Sequence, residues 1–448
     1  MASVPNQDSS GDHHRYLDEA EIQAIDWKTV KLDGDIGYFV VCDLLYPETI
    51  QDRTSNLPLA PENLEITGDM LPSYLRDQVA RKNLARNPLS TNSEKYTPYS
   101  KLMATCYDKK EYVVHFGVLQ TYLKHGLVIS WVRRVIEFKR APIFREYIDY
   151  NTKRRQEATN EFEKDYYKQK NCSLFGKSLE NKRNRCDIVL CNSAGKFVKA
   201  ASEHKFKSAR IFNETLVAAE MTKCNVELDS PIAIGAAVLD ISKDIMYKLV
   251  YEKFPKCDEM FDCKINIVGG DTDSFFLEVV GVDLPWGLYP AMLEDALLDT
   301  SNYPEHHQLF SEAHKAELGL IKDEFKGIPY EEFVLLRPKS YSMKSFEQPN
   351  EDKRRSKGVK KSNVKSFTHM DYRKVFFTEI EKSTNCKRMQ SKGHVMYNIA
   401  QEKVALSHAD DKRAWLSNNF SLPYGFYKIP HFEQHLPHDV EGCLIRKR

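Results

Sequence analysis

One short motif in the sequence has residue types and a spacing that suit metal-dependent chemistry. Asp271 and Asp273 are separated by a single residue, and the apolar segments 265–268 and 275–280 flank them. Two such segments around a tight polar turn predict a β-hairpin, and an extended backbone would point both carboxylates to one side. Carboxylates are hard oxygen ligands that suit Mg²⁺, and nucleotidyl transfer uses two metal ions about 3.5–4 Å apart. Taken alone, the pattern also fits a turn in which Asp271 only caps the backbone.

A second candidate site lies upstream, in residues 152–185. This segment contains no proline and follows Asn151, a residue that often caps helices, so we expect one long helical segment. On a helix, Lys168, Cys172 and Phe175 share a face because they are four and seven residues apart. That face would let a cation and an aromatic ring contact the same ligand.

The distribution of charge favours nucleic acid more than the net charge does. The chain has a net charge of +1, from 65 basic and 64 acidic residues. Residues 133–185 hold 15 Lys and Arg against 8 Asp and Glu, and residues 351–374 hold 9 against 3. These two segments predict basic surfaces for DNA, although a solvated face is the usual role of a charge run. A nuclear-import signal is a competing interpretation of residues 353–355.

The composition excludes several protein classes. The start of the chain lacks the basic and apolar regions of a signal peptide, and no segment approaches the roughly 20 apolar residues that span a bilayer. We therefore expect a soluble, intracellular protein without a membrane partner; nucleus and cytoplasm are not distinguished. The ten cysteines show no C-x-x-C pair, which predicts reduced thiols.

A zinc site has little support in the sequence. The closest approach to a metal cluster is His431, His435, His438 and Cys443. Their spacing fits no closed zinc pattern, so a polar tail is the simpler interpretation.

Three motifs in the order of the chain resemble those of family B DNA polymerases of the protein-primed type. Asp271-Thr-Asp273-Ser274 looks like motif C, the hairpin that holds the catalytic metals. Lys168-Gln-Lys-Asn-Cys-Ser-Leu-Phe175-Gly is similar to the fingers pattern K-x-x-x-N-S-x-Y/F-G, and residues 336–341 resemble the K-x-Y element that contacts the primer. Residues 299–304, 357–361 and 406–413 look like the version in Polinton or Maverick mobile elements, and the resemblance runs from about residue 28 to the end.

The resemblance implies an α+β fold of palm, fingers and thumb, truncated at its N-terminal side. The implied division is a flexible leader (1–30), an insertion resembling a terminal-protein region with part of the palm (31–140), fingers (141–185), a second insertion (186–230), palm (231–345), and thumb with a C-terminal tail (346–448).

The resemblance also implies the role of each site residue. Asp271 and Asp273 would bind Mg²⁺ and carry catalysis. The nucleotide would be contacted by four residues: Lys168, Phe175, Arg154 and Arg155. The primer and the DNA would be contacted by five: Lys339, Tyr341, Lys357, Lys360 and Lys361. The partners would be primer-template DNA, dNTPs and a terminal protein as an alternative primer.

Motif A, which supplies a third metal-binding aspartate, departs from the family pattern. It usually reads D-x-x-S/N-L-Y, but Asp43 lies three residues before Tyr46 and position 41 is Val. We interpret Asp43 as a structural look-alike and expect motif A and the exonuclease domain to lie upstream of this chain. Without the bridging ligand, we expect activity to fall by many orders of magnitude.

Two further departures affect motifs B and C. Cys172 replaces the usual Asn, and Gly269-Gly270 replaces a bulkier pair. Both suggest relaxed selection, as in a degraded mobile-element copy.

The predicted function is template-directed DNA polymerisation by this fragment. A catalytically dead remnant that still binds DNA is the main alternative. A D-x-D glycosyltransferase is a remote one, because the residues before Asp271 lack the regular strand-helix alternation of a nucleotide-binding domain.

Overall fold

The computed structural model describes residues 4–5, 14–88, 95–281, 298–315, 317–326, 328, 330–345, 352–392, 395–417 and 420–435. Helices make up 33% and strands 32% of the chain. This mixture agrees with the α+β class predicted from the sequence. None of the helices in these ranges is long and apolar enough to cross a membrane.

The helices are short to medium in length. In chain order they are α1 (Glu19–Ala24), α2 (Glu48–Thr54), α3 (Ser73–Arg86), α4 (Phe116–Lys124), α5 (Arg145–Glu157), α6 (Glu161–Ser178), α7 (Ala194–Ala201), α8 (Ile232–Lys248), α9 (Phe254–Phe261), α10 (Lys361–Val364), α11 (His369–Thr378) and α12 (Ile429–Gln434).

The strands form several small sheets. In chain order they are β1 (Val4–Pro5), β2 (His14–Tyr16), β3 (Ile36–Leu45), β4 (Glu62–Glu65), β5 (Ser100–Met103), β6 (Lys109–His115), β7 (Val128–Ala141), β8 (Cys186–Cys191), β9 (Phe206–Asn213), β10 (Leu216–Thr222), β11 (Lys264–Gly270), β12 (Phe275–Val280), β13 (Leu298–Asp299), β14 (Ile321–Lys322), β15 (Tyr330–Arg337), β16 (Ser340–Ser345), β17 (Lys353–Arg355), β18 (Lys382–Lys392), β19 (Val395–Leu406), β20 (Ala414–Trp415) and β21 (Ser421–Leu422).

The chain divides into two compact units. The first comprises residues 1–146, 239–383 and 404–448, and the second comprises residues 147–238 and 384–403. The first unit contains the sheet β1-β7-β3-β6, to which β2 adds by pairing with β7, and the antiparallel groups β11-β12 and β15-β16-β17. The second contains the antiparallel sheet β8-β10-β9 and the helices α5, α6 and α7.

The largest core of the first unit lies between β3 and α4. Alternate residues of β3, namely Val40, Cys42 and Leu44, are buried in it, as expected for a strand with one face on a core. Helix α4 begins after His115, whose Nδ1 accepts a hydrogen bond from the Gly117 amide. Its end precedes Gly126, which has a φ of +97°, a conformation that favours glycine. From the sequence, residues 111–116 predict a strand and residues 117–125 predict a helix that Gly126 ends; β6, α4 and the glycine after it confirm all three.

Two segments are more ordered than the sequence suggested. For the leader we expected a short helical piece from Asp18 to Ile25, with the structured part beginning near Gly37. Helix α1, capped by Asp18, confirms the helical piece, but Leu17 and Trp27 are buried in the main core, so this segment is packed and not a loose leader. We also expected residues 51–70 to be a loop, but this range contains the end of α2, strand β4 and a short 3₁₀ helix. The many Pro and Asn residues obscured the apolar positions that pack there.

The single long helix expected after Asn151 is wrong. The chain forms α5 and α6 instead, and Asn160 between them accepts a hydrogen bond from the Glu163 amide at 2.9 Å. Asn151 is buried within α5 and donates its side-chain amide to the Tyr147 carbonyl. A residue type that caps helices also occurs inside them, so the sequence alone placed the helix start at the wrong asparagine.

Candidate functional site

The D-T-D motif forms the tight turn of the predicted hairpin. The Asp271 amide donates to the Ser274 carbonyl at 3.0 Å, and the Ser274 amide donates back to the Asp271 carbonyl at 3.2 Å. Thr272 has a φ of +61°, so the backbone between the two aspartates is not extended. The hairpin and its position are confirmed, but the alternation of an extended strand does not set the directions of the Asp271 and Asp273 side chains.

The K-x-Y element lies beside this turn in the folded chain. Lys339 is in the β15–β16 connection with a φ of +63°, and its Nζ lies 3.1 Å from Oδ1 of Asp271. The side chains of Lys339 and Asp271 are 54% and 35% exposed, so solvent screens the pair and it stabilises the fold by only about 0–1 kcal/mol. Both side chains are consequently available to a ligand.

An aromatic cluster holds the two hairpins together. Phe276 of β12 lies with its ring centroid 4.8 Å from the ring of Phe333 and 4.8 Å from that of Tyr341. Burial raises the pKa of the Tyr341 hydroxyl above its usual value. The contacts fix the D-T-D turn relative to the K-x-Y strand, because both hairpins contribute rings to one packed group.

The two glycines before the D-T-D motif have a packing role. A Cβ at Gly269 would lie 3.0 Å from a methyl carbon of Leu335 on β15, and a Cβ at Gly270 would lie 2.9 Å from the Ser274 carbonyl oxygen. Larger residues would push the hairpins apart or distort the turn. The glycine pair therefore has a physical reason in this chain, and relaxed selection is not needed to explain it.

The second basic segment continues the K-x-Y sheet. Strand β17 pairs with β16, and Arg355 lies opposite Tyr341 in the register. Arg354 donates to the Phe367 carbonyl at 2.8 Å, whereas Lys357, Lys360 and Lys361 are exposed. The exposed lysines follow directly after a strand that adjoins the site.

Asp43 has a structural partner. Its two carboxylate oxygens accept hydrogen bonds from Arg133 of β7 at 2.8 and 2.7 Å, and Oδ1 also accepts from the Glu111 amide at 2.8 Å. The Arg133 contact, followed by the Glu111 amide, lowers the pKa of the Asp43 carboxyl to about 2. This carboxylate is therefore ionised and already bound, as a structural role requires.

The donor set at the turn fits one metal ion better than two. Asp271 and Asp273 would supply hard oxygen ligands to a hydrated Mg²⁺, but among the residues described, no group of three or more His, Cys, Asp or Glu is arranged to hold a metal. In the tail, the rings of His431 and His435 stack with centroids 5.4 Å apart, whereas His438 and Cys443 lie outside the described residues.

The predicted nucleotide contacts lie in the second unit. Helix α6 spans Lys168 and Phe175, so they share one face as predicted; Lys168 is exposed and Phe175 is half-buried. Arg154 of α5 lies 5.8 Å from the ring centroid of Tyr167 and 3.7 Å from Glu157. Arg155 is half-buried.

Sequence reasoning missed the residues that assemble the site. The rings of Phe276 and Phe333 pack the two hairpins against each other, and Arg133 binds the carboxylate of Asp43. None of these three residues belongs to a recognisable sequence motif. Phe276 and Phe333 each lie in an apolar strand of a hairpin, which was the available signal; their mutual contact could not be deduced from spacing.

No protein-family model matches the sequence, and no curated protein matches it. Among solved structures, the chain is similar to phi29 DNA polymerase. The orthorhombic crystal form matches with a TM-score of 0.45 and 12% identity, over 84% of this chain and 53% of the other. A post-translocation complex of that polymerase with primer-template DNA matches with a TM-score of 0.43 and 12% identity, over 90% and 55%. This chain thus spans about half the length of the polymerase chains.

Proposed function

We propose that this chain is a DNA-directed nucleotidyltransferase, a protein-primed family B polymerase of a mobile element, whose site is formed by Asp271, Asp273, Lys339 and Tyr341. The observation that carries the proposal is the contact between the D-T-D motif and the K-x-Y element. Asp271 and Lys339 are 68 residues apart in the sequence, but their side chains lie 3.1 Å apart in the folded chain. A chance D-x-D turn would not require a K-x-Y strand beside it.

In the proposed reaction, a primer 3′-hydroxyl attacks the α-phosphorus of a dNTP and pyrophosphate leaves. Asp271 and Asp273 would hold Mg²⁺, which when bound neutralises charge on the phosphates and favours ionisation of the hydroxyl. Lys339 supplies a cation next to Asp271, and an incoming backbone phosphate can replace Asp271 as its partner. Tyr341, which packs against Phe276, fixes the start of β16, directly after the connection that carries Lys339.

The basic segment after β17 would extend the DNA contact. Lys357, Lys360 and Lys361 are exposed and would neutralise backbone phosphates, which makes binding fall with salt. For the second unit, we propose that Lys168 contacts the triphosphate and that Phe175 packs against the base. Arg154 already contacts Tyr167 and Glu157, so its contribution would be smaller.

The DNA contact of Lys339 can be tested by fluorescence anisotropy with a labelled primer-template at several salt concentrations. The Lys339→Gln variant is expected to bind more weakly and to lower the slope of log affinity against log salt by about 1. Lys344→Gln is the matched control, because Lys344 lies on β16, the strand that follows Lys339, but pairs with Glu331 at 3.0 Å. Equal effects of the two substitutions would contradict a specific role for Lys339.

A second candidate function is DNA binding without catalysis. The observation that favours it is the Arg133 contact of Asp43, because a carboxylate held by Arg133 is not free to complete a metal site, and the described residues contain no group of three or more metal-binding side chains. Primer extension by the wild-type chain separates the two functions, because a chain that only binds DNA incorporates no nucleotide. If the wild-type chain does extend the primer, Asp43→Asn shows whether Asp43 takes part. Loss of nucleotide incorporation with normal DNA binding would make Asp43 part of the site, and unchanged incorporation would leave it a structural residue.

A further inference from the structure

Helices α5 and α6 of the second unit expose several aromatic rings. Tyr147 and Tyr150 of α5 and Tyr166 of α6 are 42%, 60% and 47% exposed, and Phe162, one turn before Tyr166, is 80% exposed. Tyr147 and Tyr150 are neighbours on the helix surface because they are three residues apart, and the ring centroids of Tyr166 and Tyr167 lie 5.2 Å apart. A single exposed apolar side chain is common, but a group of them indicates a surface that binds a partner.

Two cations connect these tyrosines across the two helices. Nε of Arg154 on α5 donates to the Tyr167 hydroxyl at 3.4 Å, and Nζ of Lys170 on α6 lies 5.0 Å from the ring centroid of Tyr166. The hydroxyl of Tyr166, followed by those of Tyr147 and Tyr167, raises the pKa of the Lys170 ammonium group above its usual value. Lys170 is therefore close to rings of both helices. The shared surface, the tyrosine face, comprises Tyr147, Tyr150, Tyr166, Tyr167, Arg154 and Lys170.

The tyrosine face lies on the opposite side of α6 from the predicted nucleotide contacts. Tyr166 comes two residues before Lys168, and Lys170 comes two residues after it. Two residues turn a helix by about 200°, so both side chains project away from the side that carries Lys168 and Phe175. Contact with a nucleotide at Lys168 therefore does not account for the exposed tyrosines.

The charges on the tyrosine face nearly balance. Arg154 lies 3.7 Å from Glu157, and both side chains are half-exposed, so solvent screens the pair and a phosphate can replace the carboxylate. Glu163, three residues before Tyr166, adds a second negative charge near the start of α6. A ligand held here by charge alone would be bound weakly, so the rings must supply most of the affinity.

Stacking on nucleobases is the interaction that suits such a face. Every base has a flat π surface that can stack on an aromatic ring, and a cation beside the ring can contact the phosphate of the stacked nucleotide. In a duplex the bases already stack on one another and are not free to stack on a protein surface. The face therefore fits a single strand better than a duplex.

We propose that the tyrosine face binds single-stranded DNA, with bases stacked on Tyr147, Tyr150 and Tyr166 and phosphates near Arg154 and Lys170. The face belongs to the second unit, whereas the D-T-D turn belongs to the first. Stacking on these rings does not require nucleotidyl transfer, so the binding stands or falls independently of the proposed catalysis.

Fluorescence anisotropy of the full chain with a labelled oligothymidylate tests this surface. Tyr150→Ala is expected to weaken binding by about tenfold because one stacked base is lost, and to leave the slope of log affinity against log salt unchanged because the ring carries no charge. Lys170→Gln is expected to reduce that slope by about 0.7, the contribution of one phosphate contact on a single strand. Tyr16→Ala is the matched control, because Tyr16 is also exposed but lies on β2 of the first unit.

Three comparisons complete the test. Tyr150→Phe keeps the ring and should bind like the wild-type chain, and the affinity for a blunt duplex of equal length should not depend on Tyr150. The effect of Tyr150→Ala should persist in the Lys339→Gln background, which separates this surface from the proposed polymerase site. Equal losses for Tyr150→Ala and Tyr16→Ala, equal effects of Tyr150→Ala on oligothymidylate and duplex, disappearance of its effect in the Lys339→Gln background, or no oligothymidylate binding by the wild-type chain would each overturn the proposal. The last of these results would leave the face to a protein partner.

Discussion

Replacing His115 should remove a specific part of the acid sensitivity of the fold. Burial, opposed by Asp240 of α8 and assisted by Arg140 of β7, lowers the pKa of the His115 imidazole from its ordinary value of 6.5 to about 4. The unfolded chain therefore binds a proton on this ring at a higher pH than the folded chain does. The contribution to stability is complete above pH 6.5 and is lost as the pH falls toward 4. At about 1.4 kcal/mol per pH unit, this interval corresponds to about 3 kcal/mol at most.

The prediction is checked by urea unfolding of the wild-type chain and the His115→Asn variant from pH 4 to pH 8, in chloride. Asparagine keeps a side-chain acceptor at the start of α4 but does not titrate. On acidification, the free energy of unfolding should therefore fall by up to about 3 kcal/mol less in the variant than in the wild-type chain. His435→Asn, at an exposed position, controls for the removal of a histidine. Parallel pH profiles for wild type and His115→Asn would refute the assigned burial and its cause.

Three further predictions concern the two units. Asp43→Asn should lower stability at neutral pH, and the deficit should shrink as the pH falls toward about 2, where the wild-type carboxylate also loses its charge; urea midpoints across this range check it. Phe276→Ala should reduce the free energy of unfolding by about 1–3 kcal/mol because two ring contacts are lost. Leu277→Ala, at an exposed position, should reduce it less. Similar reductions for the two variants would contradict the aromatic cluster. Gly176→Ala should stabilise the chain by about 0.5–1 kcal/mol, since nothing lies within 4 Å of the added Cβ on α6, and a fall in thermal stability would contradict the exposed helical position.

The local elements were largely predictable because their signals are short-range. Apolar runs and apolar periodicity predict a strand over residues 37–46, a helix over residues 231–249 and a hairpin around Asp271. The observed elements are β3 (Ile36–Leu45), α8 (Ile232–Lys248) and the β11–β12 hairpin, so their bounds lie close to those expected. The Asp271 turn and the Lys339 element were likewise found by their residue types. Local patterns of this kind are independent of the rest of the chain.

The long-range contacts of the site could not be predicted from the sequence. Nothing in the spacing indicates that Phe276 packs on Phe333, or that Arg133 binds both oxygens of Asp43 across the sheet. The break between α5 and α6 was missed because Asn160 and Asn151 are equally good caps in sequence, and only tertiary packing buries Asn151.

The most direct test of the central proposal is primer extension by the purified chain on a primed template with Mg²⁺ and dNTPs. Because the motif A aspartate is expected to lie upstream of this chain, the chain and its Glu278→Gln variant, which alters a carboxylate of the same hairpin, are expected to extend the primer only slowly, at a rate that a sensitive assay detects. Asp271→Asn and Asp273→Asn are expected not to. Extension that persists in both aspartate variants, or no extension by the wild-type chain while salt-sensitive DNA binding remains, would contradict catalysis at the D-T-D turn and leave a DNA-binding remnant.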